Sequence, residues 1–314
     1  MSARVAAPRV PAAGAPGLEP AAAFAAYLGI RGRLPPCPRQ GRAKPCADLS
    51  EAARGHDLVL LDAYGVLNRG ETAIPGAAAR VAALRAAGKA VMVVSNSAAY
   101  PRAHMMARWR RLGFDFTDDE VVSSRDALLA RIAGLRRHWG AMLDEGHDLG
   151  NLRTLSLRRL GDCAADYAAV EGFLLIGAGN WTERRQSLLA EALREGDRPV
   201  LCGNPDLVAP RDAGLSLEPG YWAHRLMSEA GARVEFLGKP FPEIFDMALA
   251  RQPVPVAPDR VLMVGDTLHT DVLGGAARGF ATALVTGHGA LREVPADEQL
   301  RRAAILPDFV LPAI

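Results

Sequence analysis

The stretch Leu58-Val59-Leu60-Leu61-Asp62-Ala63-Tyr64-Gly65-Val66-Leu67 decides how the chain is read. Four apolar residues ending on an aspartate describe a buried strand that delivers a carboxylate at its carboxyl end, and Gly65 lets the chain turn sharply away. The same pattern recurs along the sequence. Ala90–Val94 ends at Ser95, and further apolar runs fall at Phe173–Ile176, Pro199–Cys202, Val234–Leu237, Val261–Val264 and Ala281–Val285. Helical stretches separate them, at Gly76–Ala87, Pro101–Leu112, Pro240–Ala250 and Asp271–Arg278. Alternating strand and helix predicts an α/β protein with a doubly wound, Rossmann-like parallel sheet. Ligands of such sheets bind beyond the carboxyl ends of the strands, which is where the informative residues fall.

Residues 126–234 read as a second α/β unit inserted between two parts of the first, 45–125 and 235–314. The loop Gly203-Asn204-Pro205-Asp206 has strong turn chemistry, whereas Trp139–Ser156 shows no clear period and stays unassigned. Residues 1–44 are rich in Ala, Pro and Arg with Glu19 as their one acid. They read as a flexible basic arm carrying at most one short helix around Ala21–Leu28, a disordered tail being preferred to a targeting peptide.

With 314 residues and 49% hydrophobic content the chain can bury substantial cores, which excludes wholesale disorder. A net charge of +2 gives no push toward nucleic acid or membrane, and no apolar run approaches the roughly 20 residues of a spanning helix. Cys37, Cys46, Cys163 and Cys202 are too scattered for a zinc site or a disulfide scaffold. They predict reduced thiols and a cytoplasmic protein. Oligomeric state is left open, a homodimer included.

Four segments carry the chemistry, each at an expected strand end. Asp62 can attack or hold a metal. In Val93-Val94-Ser95-Asn96-Ser97, Ser95 and nearby backbone N–H groups can hold a phosphate oxygen. In Gly238-Lys239-Pro240 a fixed ammonium can neutralise phosphoryl oxygens. In Val264-Gly265-Asp266-Thr267-Leu268-His269-Thr270-Asp271 two carboxylates five apart can approach a hard cation such as Mg²⁺. Singly these are weak signals, since strand-end aspartates and surface lysines are common. Their joint order is what gives them weight.

In that order the four segments resemble the motifs of the haloacid dehalogenase (HAD) superfamily. The long insertion before Lys239 is similar to the C2-type cap of its subfamily IIA, and Cys202–Asp206, Pro219-Gly220, Glu229 and Phe245 look like that family's run through the cap exit. The resemblance implies a HAD core with an inserted α/β cap and a Mg²⁺-dependent phosphohydrolase acting on a small phosphorylated substrate. Asp62 would form an aspartyl-phosphate. Asp62, the backbone carbonyl of Tyr64, Asp266 and Asp271 would hold Mg²⁺. Ser95, Asn96 and Lys239 would bind the phosphoryl group, and Asn204 and Asp206 are candidates for specificity, although an Asx turn explains Asn204 equally well.

One position departs from the pattern. The family's second motif-I aspartate, its general acid and base, is replaced here by Tyr64. A phenol titrates near pH 10 and is a poor base at neutrality, so slow turnover or a substrate with a good leaving group is expected. This chain most resembles the subgroup with an aromatic residue at that place. The alternative is a degenerate relative that binds Mg²⁺ and a phosphorylated ligand as a sensor or interaction module. A nucleotide-dependent oxidoreductase ranks third, because Gly177-Ala178-Gly179 lacks the third glycine, with Thr182 in its place. His269 is weighed as a proton shuttle against the preferred reading that it points to solvent. His138, His147, His224 and His288 show no ligand spacing, and Arg108, Arg110 and Arg111 read as a solvated helix face.

Overall fold

A computed structural model describes residues 18–144, 149–212 and 214–314. Strand Leu58–Leu61 is buried along its whole length. Its odd and even residues serve opposite faces: Val59 and Leu61 pack with Val91, Val93, Leu262 and Val264, while Leu58 and Leu60 pack with Met92, Val94, Ile244 and Phe245. A strand covered on both sides belongs inside a parallel sheet. It lies in a seven-stranded sheet whose order is Lys44–Pro45, Phe309–Leu311, Ala281–Val285, Val261–Gly265, Leu58–Leu61, Ala90–Ser95 and Val121–Ser123. Every pairing in it is parallel.

A second, five-stranded parallel sheet runs Val234–Phe236, Val200–Cys202, Gly172–Leu175, Trp139–Met142 and Leu157–Arg159. It therefore takes in residues 235 and 236, which the sequence reading assigned to the core. Helix Ser124–Ile132 leads into it from the first sheet, started by a capping box between Ser123 and Asp126. The stretch that showed no period holds Trp139–Met142, an interior strand paired on both sides, and a 3₁₀ turn, Gly150–Thr154. Trp-Gly-Ala-Met is buried throughout, has no β-branched residue and carries Trp139 alone as a strand-favouring side chain, so alternation is absent and propensity marks it weakly. From the second unit a hairpin of strands Val208–Arg211 and Gly214–Leu217 reaches over the core, where Leu207 and Val208 pack with Leu268 and Leu291.

The flexible arm expected over 1–44 is corrected for its described portion. Pro20–Ile30 forms a helix with Pro at its first turn, and Ala23, Phe24 and Tyr27 are buried against Leu268, Val272 and Leu273. Three apolar residues at i, i+1 and i+4 make one narrow stripe, and the surrounding alanines hide it in a sequence that is apolar all round. Lys44–Pro45 then joins the edge of the first sheet. Cys37, Cys46, Cys163 and Cys202 are free thiols. No helix among the described residues is long and apolar enough to cross a membrane.

Candidate active site

Strand register brings the four segments together. Leu61 stands between Val264 and Val93, so Asp62, Ser95 and Asp266 leave the sheet along one edge. The Asp62 N–H donates to the Val264 carbonyl at 2.9 Å. Gly65, at φ +81°, carries the chain away from that edge, and a Cβ there would fall 2.6 Å from Asp266 Oδ2. After Asp266 the chain winds through one π-helical turn, Leu268–Val272, which swings Asp271 back over Gly265. Asp271 Oδ2 accepts the Thr267 N–H at 3.1 Å, and a Cβ on Gly265 would meet the Asp271 carboxyl at 2.0 Å. Asp266 is held by the Ala290 N–H at 2.8 Å and the Thr267 hydroxyl at 3.0 Å.

Lys239 enters from the return crossing of the second unit, with its side chain 1% exposed. Its Nζ lies 2.5 Å from Asp62 Oδ1 and 2.7 Å from Asp271 Oδ1. Asp62, Asp266 and Asp271 offer oxygens within 4.8 Å of one another, the one such acidic, His or Cys triplet among the described residues. Three clustered carboxylates beside one ammonium leave negative charge in excess, and burial adds to its effect on their proton affinities. Burial pushes the Asp62 carboxyl up to about 6, with Lys239 opposing and Asp271 reinforcing. Burial, then the charges of Asp271 and Asp62, push Asp266 up to about 8. Burial works against the Lys239 ammonium, but Asp271, Asp62 and Asp206 outweigh it and hold that pKa above the ordinary lysine value. A compact, oxygen-only, anionic cluster of this kind fits a hard divalent cation such as Mg²⁺.

Around this centre the remaining candidates separate. Ser95 is buried and its Oγ accepts the Ser97 N–H at 3.3 Å, which leaves the hydroxyl proton to donate. The Asn96 side chain is fully committed. Its Oδ1 accepts the Lys239 N–H at 2.7 Å and the Ser124 hydroxyl at 3.1 Å, and its Nδ2 donates to Asp206 Oδ1 at 2.8 Å and the Lys239 carbonyl at 3.0 Å. Only the Asn96 backbone remains for a phosphoryl oxygen. Asn204 is spent on its own loop, accepting from the Asp206 N–H at 3.0 Å and donating to Glu218 at 3.0 Å. That is the Asx turn weighed earlier. Asp206 stays close to the centre electrostatically: burial lifts its carboxyl well above the usual range, against the pull of Lys239.

Tyr64 is the neighbour that sequence could not place. Its ring lies between two guanidinium groups, Arg108 at 4.9 Å and Arg211 at 5.0 Å from the centroid. The expectation of a solvated face fails for Arg108, which is buried, bonded to Glu71 at 2.9 Å and also to the Gly70 carbonyl. A helix position three residues from Met105 faces inward whatever its charge. Arg211 comes from the hairpin and is tied to Glu218 at 2.7 Å and Ser216 at 2.8 Å. Only the hairpin's tertiary placement brings it to Tyr64, so no local signal reveals it.

The histidines are corrected in part. His269 is fully buried rather than solvent-facing. Its ring stacks on Tyr27 at 5.2 Å, both nitrogens lack hydrogen-bond partners among the described residues, and burial presses its pKa down to about 3. Such a ring is a packing group and a poor proton shuttle. His224 is likewise buried, against Phe236 at 4.6 Å, and burial lowers it to about 4. His138 bonds Ser156, burial lowers His288, and His147 lies outside the described residues. Gly177 and Gly179 close around the Asp144 carboxylate, and Thr182 caps helix Glu183–Glu195 through the Arg185 N–H at 3.3 Å.

Comparison with known proteins gives a family and several relatives. Residues 59–138 match the family profile of the haloacid dehalogenase-like hydrolases, and residues 236–314 match the HAD-hydrolase-like profile. Bovine (Bos taurus) chronophin is 31% identical over 268 residues, 82% of this chain and 90% of its own. Human (Homo sapiens) glycerol-3-phosphate phosphatase is 29% identical over 286 residues, 82% of this chain and 88% of its own. Among solved structures, a possible sugar phosphatase of the HAD superfamily from Cytophaga hutchinsonii superposes with a TM-score of 0.75 at 24% identity, over 86% of this chain and 98% of that one, a likeness of fold. Glycerol phosphate phosphatase from Mycobacterium tuberculosis in complex with magnesium gives 0.59 at 25% identity, over 76% and 70%.

Proposed function

Because the chain belongs to the haloacid dehalogenase-like hydrolases, subfamily IIA, and is a phosphatase-type hydrolase, we propose that it hydrolyses a small organophosphate, with Mg²⁺, through an aspartyl-phosphate on Asp62. The observation that carries this reading is the contact of Asp62 with a buried lysine, 2.5 Å apart, inside a triplet of carboxylates at the edge of the sheet.

Asp62 Oδ1 is the attacking atom, and its fixed backbone amide aims it out of the sheet. Lys239 holds the carboxylate in place and takes up charge on the phosphoryl oxygens as they arrive, so the nucleophile is freed as its substrate binds. The Ser95 hydroxyl and the Asn96 N–H bind the remaining oxygens. Asp62, Asp266, Asp271 and the Tyr64 carbonyl would hold Mg²⁺, which screens the repulsion between carboxylate and phosphate and polarises the phosphoryl group. Asp206 and the hairpin Val208–Leu217 cover the site, exclude bulk water and read the rest of the substrate. Tyr64 can donate a proton to a leaving group but withdraws one poorly, so substrates with good leaving groups are favoured. Free thiols agree with a cytoplasmic setting.

The test is phosphate release from a panel of phosphomonoesters, sugar phosphates and acyl phosphates with Mg²⁺, wild type beside Asp62→Asn. Turnover that vanishes in the variant supports a hydrolase using Asp62. Equal inertness of both proteins would favour the second reading, a Mg²⁺- and phosphate-binding module, for which Tyr64 between two arginines is the supporting observation.

A further inference from the structure

The N-terminal helix touches both halves of the proposed site through one side chain. Tyr27 is 2% exposed. Its ring stacks on His269 with centroids 5.2 Å apart and planes 18° from parallel, and His269 sits in the π-turn between Asp266 and Asp271. Its hydroxyl oxygen accepts the Leu207 N–H at 3.1 Å. Leu207 follows Asp206, which is bonded to Asn96, and Asn96 in turn grips the backbone of Lys239 on both sides. The ring thus backs the turn that carries Asp271 and follows Asp266, while the oxygen holds the loop of the inserted unit.

The segment after the helix repeats the alternation. Arg33 donates to the His224 carbonyl at 2.8 Å and to Ser228 Oγ at 2.7 Å, both on helix Pro219–Glu229 of the inserted unit. Arg39 then returns to the core, to the Phe280 carbonyl at 3.1 Å and to both oxygens of Asp308 at 2.7 and 2.5 Å. Burial, and next the charge of Asp206, raise the Tyr27 phenol, so it stays neutral beside these acids.

We propose that Tyr27 is a positioning residue of the phosphatase site, and that residues 18–41 form a strap fastening the inserted unit over the core. The proposal deepens the reading of the site given above and rests on it. Tyr27→Phe removes the acceptor and keeps the stack; Tyr27→Ala removes both. In the full chain, three quantities separate the roles: amide hydrogen exchange at Leu207, the affinity for inorganic phosphate in Mg²⁺ buffer, and the affinity for Mg²⁺ alone, the last two by calorimetry.

For Tyr27→Phe we expect Leu207 exchange about fivefold faster, in line with loss of one neutral hydrogen bond. Phosphate binding should weaken about fivefold, because the competent closed arrangement is less populated, while Mg²⁺ affinity is unchanged. With p-nitrophenyl phosphate, KM should rise by the same factor at constant kcat. Tyr27→Ala should weaken Mg²⁺ binding as well. Wild-type values for phosphate binding in Tyr27→Phe, with or without faster exchange, would reduce Tyr27 to a packing residue and overturn the proposal. An inactive wild type would sink the hydrolase reading instead, and the phosphate and exchange measurements would still decide this one.

Discussion

Replacing Lys239 by methionine keeps the length of the side chain and removes its charge. In the wild type that ammonium is 1% exposed and sits between Asp62, 13% exposed, and Asp271, 1% exposed, at 2.5 and 2.7 Å. Neither ion pair is open enough for solvent to replace the lost partner. Removing one partner of a buried pair typically costs about 3–5 kcal/mol, a large share of the roughly 5–15 kcal/mol that holds a domain together. At about 2 °C per kcal/mol for a chain of this size, the thermal midpoint should fall by about 6–10 °C at pH 8 with a chelator present. The sign with pH follows from the carboxylates. Asp62 already titrates at about 6 with the lysine beside it and higher still without it. At pH 5 most of that charge is gone in both proteins, and the difference between them should shrink. Differential scanning calorimetry at pH 5 and pH 8 measures both quantities. An equal drop at the two pH values would mean lost packing rather than stranded charge, and no drop would refute the buried pairing itself. Turnover should fall by about 10²–10³ in the variant.

Tyr64→Asp should raise hydrolysis of substrates with poor leaving groups, within the span of about 10²–10⁴ that acid–base help supplies; steady-state rates on alkyl phosphates that stay equal or fall would show Tyr64 adapted to its own chemistry. Without metal, stability should rise as pH falls from 9 to about 7; below that the buried His269 and His224, lowered to about 3 and about 4, oppose the trend because the unfolded chain protonates them first. Asp62 and Asp266 have folded pKa values raised to about 6 and about 8, so the folded state takes up protons that the unfolded chain does not bind until near pH 4. Saturating Mg²⁺ should flatten that slope, and a urea titration series with and without the ion reads it. Asn96→Ala removes four hydrogen bonds, three of them buried, and should cost about 2–4 kcal/mol in urea denaturation while lowering phosphate affinity; an unaffected midpoint would mean that the amide is not the junction it forms here.

Much of this architecture is legible in the sequence because buried parallel strands are continuous apolar runs, and Leu58–Leu61, Ala90–Ser95, Val261–Gly265 and Ala281–Val285 all have that form. Their shared register then places Asp62, Ser95 and Asp266 together without further information. What stays hidden depends on packing at a distance. Arg108 looks like a surface arginine until Tyr64 and Glu71 meet it, Arg211 reaches the site only by way of the hairpin, and Trp139–Met142 has a single strand-favouring residue, Trp139, to mark an interior strand of the second sheet. Tyr27 is hidden for another reason, since a lone aromatic stripe in an alanine-rich segment has no period long enough to stand out.

The commitment of Asn96 has a mechanical consequence. Ser124 begins the outward crossing to the inserted unit and Lys239 ends the return, and one amide grips both at the edge of the sheet. Gly238 beside them has no room for a side chain: a Cβ would lie 2.1 Å from Ser124 Oγ and 2.7 Å from Asn96 Oδ1. The two crossings are therefore pinned at a common point, and Asn96 is the pivot about which the inserted unit would turn once its hairpin and strap contacts yield. Displacement is smallest at the pivot, where Lys239 faces Asp62, and greatest at the far end of the lever. Under the function proposed above, opening at that end would leave Lys239 beside Asp62 until an arriving phosphoryl group separates them.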